Sequence, residues 1–120
     1  MENNMRFTAE ENSFIIEADG KKLRVSFAEF FGSHADAMAF CKENGGGDET
    51  VENLRLLAKH RDDINKELKA LGKEPLVGWV WSNEEYWRDE RFAFVVYMFN
   101  GNVSYGNRYG NINARAVSAL

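Results

Sequence analysis

The stretch that most restricts the fold is "RFAFVVYMFNG", from Arg91 to Gly101. Its first nine residues are almost continuously apolar, which is typical of a central strand covered on both faces. Asn100-Gly101 then supplies the positive φ angles that a tight turn between antiparallel strands needs. The stretch therefore predicts a sheet with this segment in its middle and a hairpin at its end.

A second hairpin is predicted near the start of the chain. Phe14–Ile16 is an apolar run, and Leu23, Val25 and Phe27 alternate with polar residues. Asp19-Gly20 lies between the two segments and is a strong signal for a two-residue turn. An additional strand before this hairpin is compatible with the sequence.

The segment "SHADAMAFCKENGGG" predicts a helix with Ser33 as its N-cap. Asn44 and Gly45–Gly47 end the helix. A glycine-rich loop can cradle a phosphate, but no Gly-Lys-Ser/Thr follows here, so a helix stop is the better interpretation.

The strongest helix pattern is "DETVENLRLLAKHRDDINKELKALG", with Asp48 or Thr50 as the N-cap and Gly72 at its end. A break near His60–Asp62 would divide it into two shorter helices. Asp62 and Asp63 are adjacent and do not face one another on a helix, so they indicate a solvated face rather than an acid–base pair.

The remaining segments are β in character: "GWVWS", the apolar stretch, "NVSYG", and "NINARAVSAL" as the last strand. The large aromatic residues of these strands are assigned to the core: Trp79, Trp81, Phe94 and Phe99. Strands, two helices and then several antiparallel strands predict one α+β domain over residues 1–120, with the helices segregated from the final sheet.

The formal charge of −4 disfavours nucleic acid as a partner, since there is no excess of Lys and Arg to neutralise phosphates. No run of about 18 apolar residues is present, so membrane insertion is not expected. The N-terminus lacks the basic start and apolar core of a secretory signal. We therefore expect a cytoplasmic protein, or a secreted or cell-surface one if a leader has been removed from the sequence.

Catalysis and metal binding have little support. Cys41 lies on the apolar face of a helix and is interpreted as a buried thiol. His34 and His60 lie on separate helices, so we interpret them as isolated surface histidines rather than zinc ligands. No nucleophile has an identifiable base beside it. We expect no enzyme activity, no metal and no cofactor.

The C-terminal half resembles a bacterial family of surface-exposed or fimbria-associated domains. Its signature is W-x-W-S-S-T-E-Y, a strand ending in an aromatic residue, a Gly-containing hairpin and a terminal V-R-P-V-R-A-L-like strand. Here these elements read "GWVWSNEEY", the strand to Phe99 and "NGNVSYGNRYGNINARAVSAL". The helix "ENLRLLAKHRDDINKEL" and "GKEPLVGW" also resemble that family, so the similarity covers about Thr50 to Leu120.

The resemblance implies a C-type-lectin-like fold whose loops carry binding, and it implies adhesion or recognition rather than catalysis. Asn83-Glu84 replaces the family's Ser-Thr pair, one terminal arginine is lost, and the first 47 residues do not align. Arg115 matches the remaining terminal arginine and is expected to be a structural hydrogen-bond donor beneath the loop. Glu74-Pro75-Leu76 lacks the third ligand of the calcium–sugar motif of lectins.

The predicted binding surface consists of aromatic, amide and arginine side chains in and beside the last loops, a mixture that is enriched in binding surfaces. Its members are Tyr86, Trp87, Tyr105, Asn107, Arg108, Tyr109, Asn111 and Asn113. These residues predict a non-catalytic module that binds a protein or a carbohydrate. The alternative is a structural protein that forms a homo-oligomer through the sheet, with the same rings packed rather than exposed.

Overall fold

A computed structural model describes residues 4–120. Over this part of the chain there are three helices and nine strands, in the following order. They are β1 (Arg6–Ala9), β2 (Ser13–Ala18), β3 (Lys21–Ser26), β4 (Phe30–Gly32), α1 (His34–Glu43), α2 (Val51–Lys59), α3 (Arg61–Ala70), β5 (Trp79–Glu85), β6 (Phe92–Tyr97), β7 (Val103–Asn107), β8 (Ile112–Ala114) and β9 (Val117–Ala119).

The first sheet has four antiparallel strands in the order β1-β2-β3-β9. The predicted hairpin is confirmed: Asp19 and Gly20 have φ angles of 53° and 78° and form the turn between β2 and β3. Two consecutive positive φ values match the twist of the flanking strands, which is why Asp-Gly is favoured there. The additional strand before the hairpin is β1.

The second sheet has five strands in the order β4-β8-β5-β6-β7. All its neighbours are antiparallel except β5 and β8, which run parallel. The prediction of one last strand is wrong, because the chain forms β8 in this sheet and then β9 in the other. The cause is long-range: β8 pairs with β4 and β5, whereas β9 pairs with β3.

The helices begin and end where local signals place them. Ser33 caps α1, and Thr50 caps α2 by accepting a hydrogen bond from the Asn53 amide (3.1 Å). The predicted break is present, since α2 ends at Lys59, His60 lies between the two helices, and α3 starts at Arg61. Three helices therefore replace the two that were expected. Helices α1 and α3, the longest, have ten residues each, about half of what a membrane-spanning helix needs.

Helices pack against both faces of the second sheet. One face packs against α1 through Trp81, Ala93 and Val95. The other packs through Val80 and Val96 against α2, α3 and the first sheet. The mixed α+β class is confirmed, but the expected segregation of helices from the final sheet is not, because helices pack against both of its faces.

Arg115 lies where the chain passes from β8 to β9. Its guanidinium is buried and donates to the carbonyls of Phe27 (3.1 Å), Glu74 (2.8 Å) and Pro75 (3.1 Å). The Glu29 carboxylate lies 3.3 Å away. Arg115 is thus a structural donor, as expected, although it lies beneath the loops around residues 27–29 and 74–75 rather than beneath the last loop.

Candidate functional site

Strands β6 and β7 and the loop after β5 bring five aromatic side chains together at one face of the second sheet. Phe94 pairs with Tyr105 across β6 and β7, and paired residues share a face. Tyr86 follows β5 and donates its backbone N–H to the Phe92 carbonyl (3.0 Å), so it lies on the same face. We call Tyr86, Trp87, Phe92, Phe94 and Tyr105 the aromatic patch.

Ring stacking holds the patch together. The rings of Tyr86 and Tyr105 are parallel within 8° with centroids 4.3 Å apart. Phe94 meets Tyr86 edge-on at 5.4 Å, and Phe92 meets Tyr105 edge-on at 5.5 Å. These are the favoured geometries of aromatic pairs. Because Tyr105 is still 50% exposed, the patch presents ring faces to solvent rather than closing over a core.

Trp87 projects from the patch. Its side chain is 71% exposed, and its ring contacts Tyr86 (5.5 Å between centroids) and the Arg88 guanidinium (4.6 Å). A cation above an exposed indole contributes about 0.5–1 kcal/mol. The ring therefore contributes little to the core and remains accessible.

The loop that carries Trp87 is closed by an ion pair between Asp89 and Arg91. The Asp89 carboxylate accepts from the Arg91 guanidinium (2.7 Å) and from the Arg91 backbone N–H (3.0 Å). These hydrogen bonds lower the pKa of Asp89 from its usual value to about 2. Asp89 also receives the Phe92 backbone N–H at its carbonyl (3.1 Å), which ties the loop to the start of β6.

A bulge in β5 determines where the loop leaves the sheet. The pairing of β5 with β6 shifts between Trp81 and Glu85. Within the bulge, the Asn83 amide side chain donates to the Gly47 carbonyl (2.9 Å), and the Glu84 carboxylate accepts the Val51 backbone N–H (2.7 Å). The bulge is thus held against the N-terminus of α2, and Tyr86 starts from a fixed position.

The predicted residues after β7 divide by role. The Asn107 side chain accepts the Tyr109 backbone N–H (2.9 Å), so this amide forms the turn. Arg108 donates to the Glu85 carboxylate (3.2 Å) and the Glu90 carbonyl (3.1 Å), which links this turn to the Trp87 loop. Tyr109 is 87% exposed and lines a cavity of about 410 Å³ together with Arg91 and Arg108.

Asn111 and Asn113 are not brought to the patch. Asn113 lies on β8, which is separated from β7 by β5 and β6, and its amide lies 3.5 Å from the Val77 carbonyl. Asn111 is exposed just before β8. The two amides follow the last loop in sequence, but they lie on or beside β8, near the opposite edge of the sheet from β7.

Two members of the patch were not predicted as site residues. They are Phe92, and Phe94, which is predicted to lie in the core. The available signal was the period-two pattern in β6, where Phe92 and Phe94 alternate with Ala93 and Val95. Ala93 and Val95 are buried against α1, which leaves the phenyl rings on the opposite face.

The other core assignments were correct only in part. Trp81 is fully buried and donates its indole N–H to the Gly32 carbonyl (2.9 Å). Trp79 stacks on Tyr97 (4.8 Å) at the sheet surface and is partly exposed. Phe99 is exposed beneath the Arg61 guanidinium, so placing it in the core was wrong. Its position beyond the end of β6, in the hairpin connection, removes it from the packed faces.

Both histidines are buried, which corrects their assignment to the surface. His34 is 4% exposed, packs edge-on against Trp81, and its Nε2 lies 2.8 Å from the Ser82 carbonyl. Burial lowers the pKa of His34. His60 is 2% exposed at the junction of α2 and α3, with its Nε2 3.4 Å from Asp19. Both rings fill the core because tertiary contacts, not helix position, decide their exposure.

The glycine loop encloses a carboxylate that belongs to the protein itself. Glu49 is buried and accepts the backbone N–H groups of Gly47 (2.9 Å) and Val117 (2.7 Å). A Cβ at Gly46 would clash with this carboxylate. The loop therefore joins α1 to β9 and leaves its donors satisfied internally, which agrees with the interpretation that it is not a phosphate site.

A concavity of about 1310 Å³ lies away from the patch, between the β2–β3 turn, α2 and the end of β9. Charged side chains on its walls are paired with one another: Lys59 with Asp19 (2.8 Å), and Lys21 with Glu52. Internal ion pairs of this kind stabilise the wall of a groove and do not identify a ligand.

No model of a known protein family matches this chain, and neither a curated protein nor a solved structure shows significant similarity to it.

Proposed function

We propose that this protein is a non-catalytic binding module that recognises a protein or a glycan through the aromatic patch and the adjoining turn at Arg108 and Tyr109. The observation that supports this proposal most strongly is the exposure of Trp87 on an ordered base. A large ring with few rotors, held above stacked tyrosines, gives contact area at low entropic cost. Arg88 and Arg108 beside it supply hydrogen-bond donors.

We also propose that the fold is C-type-lectin-like. Support comes from the resemblance of the segment from Thr50 to Leu120 to the bacterial family described above and from the mixed α+β architecture. In that family the loops of the C-terminal sheet carry binding, and the aromatic patch lies on loops and strands of the corresponding segment.

Truncating Trp87 tests whether its ring is free for recognition. Trp87→Ala is expected to change the free energy of unfolding by no more than about 0.5 kcal/mol, because exposed side chains away from the core contribute little. The matched control is Trp81→Ala, which removes a fully buried indole and is expected to cost about 3–5 kcal/mol. Urea unfolding measures both. A loss of several kcal/mol with Trp87→Ala would place the ring in the core.

Binding itself is tested with a glycan array and a bacterial-lysate pull-down, using wild type, Trp87→Ala and Tyr109→Ala, with and without a calcium chelator. Phe31→Ala is the control, because Phe31 is an exposed ring on β4, at the opposite edge of the same sheet. Retention that is lost in Trp87→Ala and Tyr109→Ala but not in Phe31→Ala, and that survives chelation, supports the proposal. No retention, together with self-association in sedimentation, would favour an assembly role instead.

A further inference from the structure

Strand β7 lies at an edge of the five-stranded sheet. Its hydrogen bonds to β6 show which of its residues direct their backbone groups toward β6 and which direct them away. At one end of the hairpin the Asn102 carbonyl accepts the Tyr97 N–H (2.8 Å). At the other end the Arg108 N–H donates to the Arg91 carbonyl (2.9 Å). Bonded and non-bonded pairs alternate along an antiparallel ladder. Since Asn102 is bonded to β6 and Arg108 to the residue just before β6, the even-numbered residues of β7 direct their backbone N–H and C=O groups toward β6.

The odd-numbered residues consequently point their backbone groups away from the sheet. These residues are Val103, Tyr105 and Asn107. Within residues 4–120, only one of their six backbone groups has a partner: the Asn107 carbonyl accepts the Gly110 N–H (2.8 Å). The remaining donors and acceptors form a row that another extended chain can match.

The other three sheet edges are protected. Residues Gly47–Glu49 cover β9, with the Gly47 and Asp48 N–H groups bonded to the Val117 carbonyl (3.1 and 2.9 Å). Strand β4 has only three residues, and β1 carries a charge at Arg6. Short length, charge and coverage are the usual devices that prevent edge pairing. Strand β7 has five residues, "VSYGN", with neither charge nor proline.

The side chains of β7 differ between the two faces of the sheet, and this difference determines which side chains an added strand should carry. On one face Tyr105 continues the stack of the aromatic patch, so an aromatic or β-branched residue placed opposite it would extend that stack. On the other face Ser104 and Gly106 are small, and a Cβ on Gly106 would lie 2.9 Å from the Ile112 side chain and 3.5 Å from the Trp81 ring. An incoming strand would need large apolar side chains there to extend the contact that Ile112 and Trp81 begin.

We propose that β7 accepts an extended segment of a partner protein as a sixth strand of the second sheet. The segment has alternating side chains, with aromatic or β-branched residues toward Tyr105 and large apolar residues toward Ser104 and Gly106. This inference rests on the proposed function and narrows its ligand to a polypeptide, whose backbone supplies the period-two donors and acceptors that this edge requires.

A second copy of the chain is a poorer match for the same edge. Antiparallel self-pairing that uses the whole strand is centred on Tyr105 and places Val103 against Asn107 of the copy. On the other face of the sheet it places Ser104 against Gly106. Two small residues then lie opposite each other, and the space between the paired strands on that face is not filled. The five-residue edge is thus better completed by a strand that carries larger side chains.

The test starts by selecting binders from a displayed library of linear peptides and synthesising the strongest one. An N-methyl group is then placed at each of its backbone nitrogens in turn, and Kd is measured with the wild-type protein. Methylation at alternate positions is expected to weaken binding by about tenfold each, the value of one lost hydrogen bond with its steric penalty. Methylation at the intervening positions is expected to have little effect.

The matched protein variants are Val103→Pro and Val103→Ala. Val103→Pro removes an outward N–H without breaking a bond to β6, and proline is tolerated at such edge positions. It is expected to weaken the peptide by about tenfold while the circular dichroism spectrum stays that of wild type. Val103→Ala retains the N–H and is expected to bind within about threefold of wild type.

Several outcomes would overturn the proposal: selection that yields no peptide, a methylation scan without alternation, or equal affinities for Val103→Pro and Val103→Ala. Self-association that Val103→Pro abolishes would assign the edge to a second copy. Glycan binding that Trp87→Ala removes and Val103→Pro leaves intact would reject strand addition but keep the proposed function. Peptide binding that is lost in Val103→Pro but unchanged in Trp87→Ala and Tyr109→Ala would keep strand addition and reject the proposed role of the aromatic patch.

Discussion

At the scale of single residues, burial makes the thiol of Cys41 a poor nucleophile. Desolvation, reinforced by the nearby Glu49 carboxylate, raises the pKa of Cys41 to about 12. We expect iodoacetamide at pH 8 to leave the native protein unmodified, since the thiolate is the reactive form. Unfolding in urea should allow complete labelling, as measured by mass spectrometry. Stoichiometric labelling of protein with a native circular dichroism spectrum would contradict this placement.

The ion pair of Asp89 with Arg91 gives a prediction about pH. Since the folded pKa of Asp89 lies below its unfolded value of about 3.9, its contribution is complete above that value and is lost as pH falls through about 2. The loop from Tyr86 to Arg91 should therefore stay ordered down to about pH 4 and loosen toward pH 2.

The carbon chemical shift of the Asp89 carboxyl group, followed by NMR, measures this midpoint directly. We expect a midpoint near 2 in wild type and a higher one in Arg91→Gln, which removes the guanidinium but keeps the backbone N–H. A wild-type midpoint at the ordinary value of an aspartate would show that the ion pair does not form in solution.

The exposure of individual side chains was the least predictable property of this sequence. His34 and His60 are predicted to be isolated surface histidines because they lie on separate helices, yet both are buried by residues distant in the chain, Ser82 and Asp19 among them. Glu49 is buried for the same kind of reason, since one of its donors comes from Val117. The exposure of Trp87 was predictable because the charged residues around it are its neighbours in sequence.

At the scale of elements, the N-cap of α2 is a local device whose contribution can be measured. Thr50→Ala removes the oxygen that accepts the Asn53 N–H and is expected to lower the free energy of unfolding by about 1 kcal/mol. Thr50→Ser retains the oxygen and is the control, which should remain within a few tenths of a kcal/mol of wild type. Equal losses for the two variants would show that the methyl group, not the cap, stabilises this end of α2.

Elements fixed by neighbouring residues were predictable, whereas those fixed by distant partners were not. Asp19-Gly20, Ser33, Thr50 and Gly72 act within a few residues, and the turns, caps and helix end that they predict are present. The division of the last strand was not predictable, because nothing within "NINARAVSAL" indicates that its halves pair in different sheets. The turn after β6 is also longer than the two-residue turn typical of Asn-Gly, with Gly101 donating back to Tyr97 (2.7 Å).

At the scale of the whole molecule, β9 lies between β3 and the glycine loop and completes the first sheet. It contributes the fully buried Val117 and accepts the glycine loop on its outer edge. Deleting residues 117–120 is expected to abolish the cooperative thermal transition, because it exposes the edge of β3 and leaves the buried Glu49 carboxylate without one of its donors.

Differential scanning calorimetry measures this transition. The control is Leu120→Ala, since Leu120 is exposed and its truncation should shift the melting temperature by only a few degrees, equivalent to about 0.5 kcal/mol. A deletion variant that still unfolds in a single sharp transition would show that the core closes without β9.

The passage of the chain from β8 to β9 has a consequence for how the protein is made. Each sheet takes strands from both ends of the sequence: β3 pairs with β9, and β4 pairs with β8. Contacts between such distant segments slow folding, because the intervening chain loses entropy before the contacts form. On the ribosome, β3 and β4 emerge long before their partners are synthesised. In the nascent chain the edges of β3 and β4 therefore remain unpaired until β8 and β9 have been synthesised. The first sheet is completed only after β9 has left the exit tunnel.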